Sequence, residues 1–278
     1  MVTRLMVIFC GLALMGGNPA SAGLAVNSDY VVLLHGLGRS AHSFSKMADV
    51  LRAAGYDVLN IDYPSTDHTI PVLTEKYVKP AIETHCTDDT RAIHFVTHSM
   101  GGILLREYVR RFRPDNLGRA VMLSPPSLGS EVVDFLRKNG IVRSIMGPAF
   151  LQLGTEPDSF VNLLPPVDFE VGVITGDRTI NFINSMIIPG PDDGKVSVAR
   201  ARLPGMTTFK VVHRTHPLIM NADEVIGDVL RFLEEGEFRD APGMPGVPGA
   251  EPPANKGTAL KGARKLKTGL KQLGDERS

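Results

Sequence analysis

The chain has 278 residues, of which 43% are hydrophobic and 22% charged, with 30 basic and 30 acidic side chains. That is enough apolar material for one soluble core of about two hundred residues. The charge is unevenly spread: residues 241–278 hold seven basic and three acidic side chains, and Arg4 is the sole charge before residue 23, so the stretch between is near −5. An acidic central stretch argues against nucleic acid as the substrate.

In chain order, residues 1–22 read as a signal peptide. Arg4 precedes the apolar run Leu5–Met15, which is short for a bilayer span, and Ala20-Ser21-Ala22 supplies a small-x-small cleavage pattern before Gly23. Export to the periplasm or the extracellular space is expected, with Cys86 then the one remaining cysteine and no internal disulfide. Over 23–240, strand-like runs near 30–35, 57–61, 92–97, 119–124, 169–175 and 207–213 alternate with helix-like runs near 43–54, 71–84, 101–113 and 222–235. Gly55, Pro114 and Gly236 supply stops. This alternation predicts an α/β fold, a mostly parallel sheet of about six strands flanked by helices.

Residues 129–166 break the alternation and hold more apolar side chains than a solvated connection needs, among them Val132, Val133, Ile141, Ile145, Phe150 and Leu151. A cap is expected there, with Phe150 and Leu151 facing a substrate. Residues 241–278 open on a Pro/Gly-rich linker and continue as a basic tail. In that tail Leu260, Ala263, Leu266, Leu270 and Leu273 recur at helical spacing, but Gly262 and Gly269 weaken the helix. We expect the tail to be disordered, and leave open a peripheral membrane contact through it or through the cap.

The chemistry-bearing motif is Thr97-His98-Ser99-Met100-Gly101-Gly102, which ends one strand-like run and opens a helix-like one. A serine on a strand-to-helix turn is presented above the sheet edge as a nucleophile, here Ser99. Upstream, Tyr30–Leu34 breaks into His35-Gly36-Leu37-Gly38, whose backbone can donate N–H groups to an oxyanion. The backbones of Leu37 and Met100 are the expected donors. Downstream an acid and then a histidine are required. Asp177 and Asp193 both follow the strand-like run at 169–175, and position alone does not choose between them. His216 lies in the loop past the last strand, which suits a base better than His213 at the strand's end.

Together, His35-Gly36-Leu37-Gly38, Thr97–Gly102, Asp193-Gly194-Lys195-Val196 and His216 resemble the compact serine lipases and esterases of the α/β-hydrolase superfamily, over about residues 29–238. The likeness is greatest to the bacterial triacylglycerol lipases and the inositol-deacylase-like lipases. The resemblance implies an α/β-hydrolase fold with 23–240 as the catalytic domain, and because the first strand-like run begins near residue 30, soon after the expected cleavage, a minimal version lacking the leading antiparallel strands is expected. It carries the acid role onto Asp193, with Asp177 as the alternative, the base onto His216 and the nucleophile onto Ser99. It also implies a carboxyl ester hydrolase acting on lipid or small-molecule esters as a monomer, without cofactor. Two departures stand out. Thr97 replaces the first glycine of the elbow and is expected to crowd it. The calcium aspartate that bacterial triacylglycerol lipases carry just after the histidine has no counterpart, since Asp223 is the nearest acid, so no metal is expected. An acyltransferase using the same triad, or a non-catalytic binding protein on this fold, are the other classes considered.

Overall fold

Six strands form one sheet: β1 Tyr30–Leu34, β2 Asp57–Ile61, β3 Ile93–His98, β4 Leu117–Leu123, β5 Val171–Gly176 and β6 Thr208–Val212. Their order is β2-β1-β3-β4-β5-β6, and every pairing is parallel. The computed structural model describes residues 29–180 and 182–239. The expected signal peptide, linker and tail lie outside the described residues.

The helices are α1 Ser45–Ala53, α2 Ile70–Leu73, α3 Lys79–His85, α4 Met100–Phe112, α5 Glu131–Leu136, α6 Gly140–Leu151, α7 Phe160–Leu163, α8 Phe182–Ile187, α9 Val198–Ala201 and α10 Asp223–Glu235. The expected helix over 71–84 is divided: α2 and α3 are joined by a π turn, Thr74–Val78. Pro80 has no N–H to give to the Lys76 carbonyl, so the usual ladder cannot run through this point. The opening of α10 is favoured by Asp223 and Glu224 in its first turn, and its end by Gly236 at φ 81°.

Both faces of the sheet are covered, which is why its strands read as continuous apolar runs. Side chains alternate across β1: Val31 and Leu33 join the layer containing residues of α1 and α10, whereas Tyr30, Val32 and Leu34 join the layer containing residues of α2, α3 and α4. After β1 the chain places β2 on one side and β3 on the other. The loops leaving the C-terminal ends of β1 and β3 therefore diverge, and an open α/β sheet binds ligands outside such a switch point.

The segment expected as a cap holds α5, α6 and α7. Its two ends are fastened to α4 by the buried Arg106, which donates to the carbonyls of Ser127, Leu164 and Pro165. Phe150 is buried, whereas Leu151, expected to face the substrate with it, is 40% exposed. Gly147 at φ 75°, followed by Pro148, kinks α6, and the piece after the kink turns Phe150 inward and Leu151 out.

Candidate active site

The loops that follow β1, β3 and β6 meet at one cavity of about 370 Å³, which Gly36, Leu37, Gly38, Ser99 and His216 line together with cap residues. Ser99 follows β3 with φ 54° and ψ −125°. A non-glycine residue there costs of order 1–3 kcal/mol and persists only where the surroundings dictate it. They do: Ser99 N–H donates to Leu123 O at 2.8 Å, and its carbonyl accepts from Gly102 N–H at 3.0 Å. A Cβ on Gly101 would stand 2.1 Å from Leu34 O, so only glycine lets α4 start this close to β1. Thr97 is fully buried beneath the turn, its hydroxyl 3.3 Å from the place a Cβ of Gly102 would take.

The turn after β1 approaches this elbow from above. A Cβ on Gly36 would meet His98 Nδ1 at 3.0 Å and Ser99 Cβ at 3.1 Å. Gly38 N–H is taken by Ser65 Oγ at 2.9 Å. The N–H groups of Leu37 and Met100 have no acceptor among the described residues, and that of Met100 is one of the free donors of a helix N-terminus. His35 packs beneath the turn, stacked on Tyr63 with ring centroids 3.9 Å apart. The Tyr63 hydroxyl donates to the His35 carbonyl.

Of the two candidate acids, the fold brings Asp193 to His216. His216 Nδ1 donates to Asp193 Oδ2 at 2.8 Å, and His216 N–H donates to Asp193 O at 2.9 Å. The other carboxylate oxygen, Oδ1, accepts from the N–H groups of Lys195 at 3.0 Å and Val196 at 2.9 Å. Burial opposes ionisation of Asp193, but the charge and hydrogen bond of His216 and the Val196 N–H outweigh it and hold the carboxyl below its ordinary range. Asp177 instead pairs with His213 at 2.9 Å on the exposed side. The Ser99 hydroxyl has no hydrogen bond among the described residues, which is common in ligand-free sites whose contacts tighten only around substrate.

Two side chains of this site have no sequence signal. His98, 1% exposed, turns Nε2 to the His216 carbonyl at 3.0 Å, and the two rings lie 4.7 Å apart. A carbonyl only accepts, so His98 carries its proton on Nε2. Burial, reinforced by the charges of His216 and Arg39, pushes its pKa well below the usual imidazole value and keeps it neutral. Arg39, the residue after the glycine turn, donates to Pro217 O at 3.3 Å and also lines the cavity. Asp223 opens α10 and pairs with Lys46 at 2.6 Å. No group of three or more potential metal ligands exists among the described residues.

The order of the strands, the positive-φ serine between β3 and α4 and the glycine turn after β1 agree with the family model that matches residues 31–179, the alpha/beta hydrolase family. The chain belongs to the alpha/beta hydrolase family. Solved structures share the fold. The mature form of Bacillus licheniformis lipase BlEst2 superposes with a TM-score of 0.58 at 20% identity, over 76% of this chain and 93% of the lipase. Aspergillus fumigatus lipase B gives 0.58 at 16% identity, over 80% of this chain and 56% of its own. Phospholipase PlaB from Legionella pneumophila gives 0.53 at 18% identity, over 63% of this chain, which spans 44% of the phospholipase. No curated protein matches the chain.

Proposed function

We propose that this alpha/beta hydrolase cleaves carboxyl esters, with lipid acyl esters as its preferred class, through an acyl-Ser99 intermediate. The observation that carries the reading is the meeting of Ser99, on its positive-φ turn, with the buried His216–Asp193 pair at one cavity beside two unused main-chain N–H groups. Relatives of this fold described as lipases, and one as a phospholipase, add to it.

The steps follow from residue chemistry. Because Nδ1 of His216 is engaged by Asp193, Nε2 is the nitrogen left to take the Ser99 proton as Oγ bonds to the substrate carbonyl carbon. Asp193 stabilises the imidazolium, and the carbonyl oxygen, now an anion, accepts from Leu37 and Met100 N–H, each worth about 3 kcal/mol in the transition state. Nε2 then returns the proton to the departing alkoxide, which leaves as an alcohol. Water repeats the sequence and releases the acid. The apolar wall given by Val132, Val133, Leu136, Met146, Phe150 and Leu153 suits an acyl chain. A cavity of about 370 Å³ is at the small end of ligand pockets, about 300–1,000 Å³, so short to medium chains are expected to fit best. Export through residues 1–22 belongs to the same proposal.

A p-nitrophenyl ester series of increasing acyl length on the purified protein tests this. Hydrolysis that Ser99→Ala lowers by about four to six orders of magnitude is expected. Turnover that survives Ser99→Ala would contradict the reading, and acyl transfer to added alcohol in place of hydrolysis would redirect it to an acyltransferase.

A further inference from the structure

The lining of the cavity is uneven in charge. Arg39 and Lys195 belong to it, and no aspartate or glutamate does. Asp193 lies behind it, 1% exposed, with its oxygens engaged by His216 and two main-chain N–H groups. Arginines that brace this fold make several bonds: Arg106 gives three hydrogen bonds to carbonyls, and Arg200 is bound to Glu131 and to Leu128 O. Arg39 differs. Its half-buried guanidinium, with five N–H donors available, makes one bond at 3.3 Å, to Pro217 O, and has no carboxylate partner among the described residues. The exposed Lys195 likewise has no acidic partner there.

A guanidinium withdrawn from water without a counter-charge is unfavourable, and an anion arriving within its reach recovers that loss through charge-assisted hydrogen bonds. The position is specific. Arg39 directly follows the Gly36-Leu37-Gly38 turn and reaches the residue after His216, so an anion held there lies close to an ester whose carbonyl oxygen sits at Leu37 N–H. We propose that the esters taken by this site carry a negatively charged group, a carboxylate or a phosphate, which Arg39 and Lys195 hold while the acyl chain lies against the apolar side chains of the cap. This inference rests on the ester-hydrolase reading and narrows it.

Matched substrates test it. On the acyl side the pair is p-nitrophenyl hydrogen adipate against p-nitrophenyl hexanoate, after subtraction of the uncatalysed rate. On the alcohol side it is dihexanoyl phosphatidylglycerol against dihexanoylglycerol. The expected result is a higher kcat/KM for the anionic member of at least one pair, and the pair that shows it tells which side of the ester carries the charge. Arg39→Gln should cut that anionic-to-neutral ratio about tenfold, Arg39→Lys should keep much of it, and added salt should shrink it. A loss of the Pro217 brace alone would slow both members equally and leave the ratio unchanged. Equal rates within both pairs, or a preference indifferent to Arg39→Gln, overturns the inference and leaves ester hydrolysis standing. Hydrolysis of none of the four overturns the ester-hydrolase reading and this inference together.

Discussion

Two histidine–aspartate pairs stand behind the last strands, three residues apart at the histidine, with nearly equal bond lengths: His216–Asp193 at 2.8 Å and His213–Asp177 at 2.9 Å. Their surroundings differ. The side chains of the first pair are 9% and 0% exposed, those of the second 76% and 37%. An ion pair in water is worth little, about 0–1 kcal/mol, and does not hold a ring still. An enclosed pair with further hydrogen bonds to the carboxylate fixes tautomer and direction, which general-base work needs. Contact between the right residue types is therefore common to both pairs, and enclosure beside Ser99 belongs to one.

The largest expected effect follows directly. Asp193→Asn should lower kcat on a p-nitrophenyl ester by about 10⁴-fold, the order seen when a triad carboxylate is neutralised. Asp177→Asn should change it less than about twofold, since exposed pairs contribute so little. Equal losses from the two substitutions would break the comparison.

A smaller effect sharpens it. His98 ties the backbone of His216 to the elbow, and in the proposed mechanism it is a positioning residue that takes no part in the proton transfer. His98→Phe keeps the ring volume and loses the donor; one hydrogen bond being worth about 1 kcal/mol, kcat should fall about five- to tenfold with KM little changed. His98→Gln, which restores an N–H donor, should recover part of it. If both variants lose thermal stability equally while kcat stays level, His98 is structural only.

The least of these effects is on stability. His35, His94 and His98 are each held below the ordinary imidazole pKa of 6.5, burial being the leading cause. The folded chain thus binds fewer protons than the unfolded one as pH drops below 6.5. Their contribution is complete above that pH and is lost as pH falls toward the folded-state values, by about 1.4 kcal/mol per pH unit for each histidine. Urea unfolding between pH 7 and 5 should show this decline, and His98→Gln should flatten it. A slope unchanged by His98→Gln would show that His98 takes a proton without unfolding.

The strands were legible because a sheet covered on both faces leaves unbroken apolar runs such as Tyr30–Leu34. The elbow was legible because glycines must follow a serine that turns this sharply. The choice between Asp177 and Asp193 was not, since it depends on the path of one loop. Gly194 at φ 96°, the Asp192–Ser197 bridge and the His216 N–H to Asp193 O bond return that loop under the histidine. Leu151 was misplaced for a similar reason: a kink at Gly147 and Pro148 resets which face of α6 turns inward. Arg39 and His98 left no pattern in the chain, because their partners, Pro217 and His216, lie more than one hundred residues away.

The most direct test is covalent. A fluorophosphonate should react in stoichiometric amount with the protein, and peptide mass spectrometry should place the adduct on Ser99. His216→Ala should abolish the reaction, and His213→Ala should leave its rate as it was. An adduct on another residue, or equal labelling of the His216→Ala and His213→Ala proteins, would contradict the account.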